Sequence, residues 1–121
     1  MREKTIKVVL VEPGKAPRTE EVKNKFGALG KLVGGLMDCV HFEDAILVCN
    51  DEGKINGMEP NRRVGNDIIC GPFFICGDGV EDFSSLTNEQ IAKYSILFSE
   101  PEQFTGEEIE LEPRINFISF N

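Results

Sequence analysis

The stretch Thr5–Val11, TIKVVLV, is dense in β-branched residues and is stopped at once by Glu12-Pro13-Gly14. Such a run packs well on a pleated surface and reads as a central strand. A second run, Asp67–Gly77 (DIICGPFFICG), is apolar almost throughout. Pro72 has no N–H for a ladder, so a bulge or break belongs at Gly71-Pro72. A sheet is therefore the element around which this chain must organise.

Further elements follow from local signals. RTEEVKN (Arg18–Asn24) is a possible short strand. LMDCVHF and AILVCN form two strands turned by Glu43-Asp44, and Asn50–Gly53 is another turn signal. A helix is expected over Asn24–Val33, with Phe26, Leu29, Leu32 and Val33 on one stripe. Asn24 would cap it and Gly34-Gly35 would end it. Its internal Gly27 and Gly30 each cost about 1 kcal/mol against Ala, which points to close packing on the sheet. Thr87 and Gln90 make a capping box for a second helix carrying Ile91, Tyr94 and Leu97/Phe98 on one face. The pattern indicates an α+β fold: a mixed, mostly antiparallel sheet with two helices packed on one face.

At 121 residues the chain is long enough for one domain. The expected division is a single α+β domain over 1–99 and an acidic extension over 100–121, with six glutamates between positions 100 and 112. INFISFN (Ile115–Asn121) has strand character and could add a strand within its own chain or across a homodimer. The N-terminal apolar run covers only Val8–Val11, too short for a signal peptide or a membrane span, so a cytoplasmic protein is expected.

Charge is unevenly placed. Residues 1–63 hold 11 Lys/Arg against 10 Asp/Glu, whereas residues 64–121 hold two basic residues against 11 acids, for a total of −8. An acidic excess of this size argues against direct nucleic-acid binding, which needs several cations on one face. It suits a basic protein surface as partner, or simple solubility.

Four cysteines, Cys39, Cys49, Cys70 and Cys76, lie in or beside apolar runs and form no Cys-x-x-Cys pair. They read as buried reduced thiols ahead of a disulfide or a metal site. GALGKLVGG carries the Gly-Lys pair of a phosphate loop. Lys25 stands where that motif needs a glycine, however, and Leu32 where it needs Ser or Thr. Cys39 and His41 share a strand face, but no orienting group or oxyanion donor is marked, so His41 reads as structural, near a sheet edge. Asp78, Glu81 and Asp82 lack calcium-loop spacing and read as a solvated turn. No catalytic set, metal site or cofactor is expected.

Two basic, glycine-containing segments remain: EPGKAPR (Glu12–Arg18) and NGMEPNRRVGN (Asn56–Asn66). Each follows a strand end, where loops tend to form ligand sites. An arginine fork fits phosphate in two-point fashion. The overall charge does not forbid an anion. Charges about 20 Å apart in water interact by only ~0.2 kcal/mol before screening, against about 1.5–3 kcal/mol for one charge-assisted hydrogen bond. The competing reading has Arg62 and Arg63 fixing the loop by pairing with Glu59, Asp67 or the acidic tail.

The segments VEPGKAP, LVGG, CNDEGKINGMEPNRR, DIICGPFFICG and DFSSLTNEQI, in that order, resemble the family known as domain of unknown function 3846, over roughly residues 5–99. The resemblance implies a phage, plasmid or other mobile-element setting and an accessory protein, with no catalytic residue to carry over. The leading expectation is a non-enzymatic counter-defence protein that sequesters a small phosphorylated, nucleotide-derived ligand. Arg62 and Arg63 would hold phosphate, Asn61 would hydrogen-bond it, and Lys15 or Arg18 would approach from the neighbouring loop. The alternative is an acidic inhibitor that binds a host nucleic-acid-binding or immune effector by imitating a phosphate backbone.

Overall fold

A computed structural model describes residues 4–79 and 82–105. The order is β1 (Thr5–Val11), β2 (Arg18–Lys23), α1 (Phe26–Val33), β3 (Met37–Phe42), β4 (Ala45–Asn50), β5 (Pro60–Val64), β6 (Asp67–Cys70), β7 (Phe73–Asp78), β8 (Phe83–Ser84) and α2 (Asn88–Leu97). The larger sheet runs β2-β1-β7-β4-β3, with β8 beside the end of β7; β5 and β6 make a separate hairpin. Every strand pairing among the described residues is antiparallel. The fold is α+β, as its pattern of elements indicates.

The three central strands are buried on both faces because their side chains alternate between two cores. Val9, Val11, Ala45, Leu47, Phe73 and Ile75 face one side and meet Ile69 of the hairpin with Tyr94 and Phe98 of α2. Ile6, Val8, Leu10, Ile46, Val48, Phe74 and Cys76 face the other and meet Leu29 and Val33 of α1. The helices therefore cover opposite faces, which corrects the expectation that both lie on one. Apolar residues at successive positions of β1, β4 and β7 leave neither face able to remain in water.

Local signals resolve unevenly. Thr87 and Gln90 close the capping box of α2 in both directions, and Gly34 ends α1 in the left-handed conformation (φ 81°) with its N–H on the Gly30 carbonyl. Asn24 is not the cap of α1. The cap residue is Lys25, which makes no side-chain capping bond, while Asn24 is buried and donates from Nδ2 to the Asp82 carboxylate and the Phe83 carbonyl. Nor do both helical glycines meet the sheet. A Cβ at Gly27 would meet nothing within 4 Å, and one at Gly30 would lie 3.1 Å from the Gly35 carbonyl, in the turn that ends the helix. Phe26 leaves the expected stripe and is 77% exposed.

The break at Gly71-Pro72 separates β6 from β7, so one apolar run serves two sheets. Gly71 takes φ 88°; a Cβ there would approach Met58 Sδ to 2.5 Å. The strand suspected in INFISFN lies outside the described residues. No described helix is long and apolar enough to cross a membrane.

None of the four cysteines is in a disulfide. Cys49, Cys70 and Cys76 are buried, and burial pushes the Cys76 thiol up to about 12. Cys39 departs from the expectation and is exposed on β3. Maleimide labelling of the folded protein should therefore modify one thiol quickly, lost in Cys39→Ser, and all four only after denaturation. Fast modification of a second thiol in the native state would contradict this burial.

Candidate functional site

Arg62 and Arg63 lie on strand β5, not on a loop. Turn-forming residues flank them, but β5 pairs with β6 through a register shift between Pro60 and Arg62. The bulge turns both Asn61 and Arg62 inward, at 0% and 1% exposure, and leaves Arg63 exposed.

Every N–H of the Arg62 guanidinium is engaged within the chain. Nε and Nη2 donate to the Phe98 carbonyl at 3.3 and 3.0 Å, and Nη2 also donates to the Lys15 carbonyl at 2.7 Å. Nη1 donates to the main-chain and side-chain oxygens of Asn61. Phe98 is the C-cap of α2, so the cation sits where the helix end is partially negative. Burial pulls the guanidinium below its ordinary value, opposed by the charge of Glu102; it stays protonated nonetheless. Asn61 Nδ2 donates to the carbonyls of Val11 and Gly71. This pair ties the β1–β2 loop, the hairpin and α2 together.

In this arrangement Arg62 and Asn61 offer their donors to main-chain carbonyls and, for one Arg62 N–H, to the Asn61 side chain, rather than outward. Of the partners weighed from sequence (Glu59, Asp67 or the acidic tail), Asp67 accepts from Lys54, and the tail supplies Glu102, whose charge acts on Arg62. Arg63 donates its main-chain N–H to Glu102 at 3.1 Å, and its guanidinium lies 5.6 Å from the centre of the Phe104 ring. Arg18 pairs with Glu12 and with Glu20, at 2.6 Å to the latter, and these hydrogen bonds raise its pKa. Lys15 Nζ is 3.8 Å from Glu12, with its side chain 67% exposed.

A different site stands on the α1 face of the sheet. A surface cavity of about 550 Å³ opens between the start of α1, the β3–β4 edge and the β7–β8 turn. Phe26, Leu29, Ile46 and Phe83 wall it, and His41, Asp78 and Asp82 supply polar groups. His41 Nδ1 is 3.6 Å from the Asp78 carboxylate, with the ring 82% exposed. Asp82 accepts from the Phe83 N–H and from Asn24. Cys39, two residues from His41 on the same edge strand, has its thiol raised by burial and by Asp38, which disfavours thiolate. Among the described residues no group of three or more His, Cys, Asp or Glu could hold a metal ion.

The sequence signals for this cavity were weak. Asp78 and Asp82 appear in a turn without calcium spacing, and Phe26 falls on the helical stripe that also carries Leu29. Only the pairing of β3 with β4 and β4 with β7, His41↔Ile46↔Cys76, brings these positions together.

The geometry defines a small antiparallel α+β domain with a basic residue locked in its interior and an acid-rimmed groove on its surface. The chain belongs to the family described as Domain of unknown function (DUF3846), whose model matches residues 6–99. No curated protein and no solved structure matches it.

Arg62→Met should be strongly destabilising, by about 3 kcal/mol or more, because it orphans buried carbonyls that a thioether cannot satisfy. Arg63→Ala should cost about 1 kcal/mol or less, since exposed cation–π contacts contribute little. Urea unfolding midpoints of the two variants measure the difference. Equal shifts would remove the interior role of Arg62.

Proposed function

We propose that the chain is a non-enzymatic accessory protein of phages or other mobile elements. It acts in counter-defence by docking its carboxylates on the basic, nucleic-acid-facing surface of a host protein. The observation that carries this reading is the disposition of charge. Arg62 is consumed inside the fold, and Arg18, Lys54 and Lys93 sit in ion pairs. Asp78 and Asp82, by contrast, rim an open groove, in a chain of net charge −8.

Magnitudes favour a cationic partner. An anion at Arg62 would have to replace hydrogen bonds that already satisfy a buried charge, at about 1.5–3 kcal/mol for each one lost. Around the outward cations Lys15, Arg18 and Arg63 stand Glu12, Glu20 and Glu102, so this patch is close to neutral. A basic partner competes with weaker contacts, the His41 ring at 3.6 Å from Asp78 and the Asn24 and Phe83 donors on Asp82, and the net field speeds its approach. The raised thiol of Cys39 disfavours a thiolate nucleophile at that position.

A second reading keeps the sequestration of a small phosphorylated, nucleotide-derived ligand, now held by the outward cations. What favours it is the bond from Arg62 to the Lys15 carbonyl. That bond fixes the β1–β2 loop beside the hairpin with the Lys15 side chain turned to solvent.

Fluorescence anisotropy of a labelled nona-arginine peptide, beside calorimetry against a nucleotide panel, separates the two. The docking reading expects peptide binding that weakens at least tenfold between about 0.1 M and about 1 M salt, as the screening length falls from ~10 to ~3 Å, with no heat from nucleotides. Nucleotide heat abolished by Arg63→Ala or Lys15→Ala, without peptide binding, would reverse the order.

A further inference from the structure

We infer that the groove beside β3 is a binding site for an arginine side chain carried on an extended segment of a partner protein, which runs along the outer edge of β3. The inference rests on the docking reading above and names the place and chemistry of the contact.

The two outer strands of the larger sheet differ in kind. β2 is RTEEVK, charged at four of its positions, and such a strand discourages pairing with another chain. β3 is MDCVHF, with Cys39, Val40 and His41 exposed, Val40 at 41%. Among the described residues β3 pairs only with β4. A segment added beside β3 would gain main-chain hydrogen bonds and place every second side chain on the α1 face, next to His41.

That row leads into the cavity. His41 lies opposite Ile46, which is one of its walls, and Asp78 stands 3.6 Å from the His41 ring. At about 550 Å³ the cavity is within the size range of ligand sites. Its apolar walls suit the three-carbon stem of an arginine, and the Asp78 carboxylate suits the planar fork, with Asp82 adding charge while it accepts from Phe83 and Asn24. Phe26, 77% exposed at the first residue of α1, offers a ring face on which a guanidinium stacks. Lysine brings a compact, strongly hydrated charge that uses neither the stack nor the fork. The start of α1 carries roughly half a positive charge, which the two carboxylates outweigh, so a phosphate is the poorer occupant.

Nona-arginine and nona-lysine peptides should be titrated into the full chain and into Asp78→Asn, Phe26→Ala and the control Glu52→Gln/Glu59→Gln, whose carboxylates are exposed and remote from the cavity lining. The expected result is arginine binding tighter than lysine, a loss of about tenfold or more (about 1.4 kcal/mol) in Asp78→Asn and in Phe26→Ala, and less than twofold in the control. In the wild-type protein, arginine-peptide addition should shift the amide resonances of residues 39–41 and 77–79, a readout that does not depend on the variants folding. If arginine peptide binds but the control loses as much as Asp78→Asn, or the shifts fall elsewhere, the groove is wrong and the docking reading survives. If the wild-type chain binds no arginine peptide at all, the docking reading itself fails.

Discussion

A single buried guanidinium sets the terms for much of this domain. Arg62 is charged and 1% exposed, and taking such a group from water costs several kcal/mol unless each donor finds an acceptor. Its acceptors come from positions far apart in the chain: Lys15 after β1, Asn61 beside it, and Phe98 at the end of α2. A partial set would leave a buried donor orphaned, so these segments must arrive together. Asn61, placed inward by the same bulge, extends the requirement to Val11 and to the Gly71 turn. The hairpin could otherwise slide over the apolar surface beneath it, since dispersion and burial are indifferent to direction. Directed hydrogen bonds from a rigid fork choose one position.

With the hairpin and α2 fixed over one core, α1 is the one helix that covers the other face among the described residues. An eight-residue helix covers Ile6, Val8, Ile46 and Val48 through Leu29 and Val33. It does not reach across the β3 end, where the groove opens. Phe26, the first residue of the helix, is left 77% exposed. Among the described residues the groove follows from unequal cover: the hairpin and α2 on one face and one short helix on the other.

Strands β1, β4 and β7 were legible because β-branched and aromatic residues crowd them, and the Thr87–Gln90 box announced α2. The α+β class follows from those signals. The arrangement of the helices was not legible, since apolar residues on both faces of a strand do not say which helix covers which. The arginine segment read as a loop because Gly57, Pro60, Gly65 and Asn66 surround a strand of only five residues. Arg62 gave no hint of burial for a deeper reason: apart from the adjacent Asn61 side chain its partners are main-chain carbonyls, which every residue carries, so no charged complement could betray them. Its expected partners were carboxylates, and the sequence is full of carboxylates. Cys39 looked like the other thiols because apolar neighbours mark a strand but not whether that strand is at the edge.

The placement of Arg62 changes which electrostatic scale governs recognition. As long as two adjacent guanidiniums are supposed to face solvent, a few strong local bonds outweigh the diffuse field of a net −8 chain. Once one of them is spent on carbonyls, and Arg18 lies between Glu12 and Glu20, the local advantage proposed for an anion shrinks to what Lys15 and Arg63 can offer. What remains near the surface is the acid excess, and at the groove it is local as well: Asp78 and Asp82 stand beside an aromatic ring that the fold leaves in water. Local and long-range terms then have the same sign. On the docking proposal, a cation drawn in by the whole molecule would meet its strongest contacts at the groove, whereas an anion there would have to overcome both.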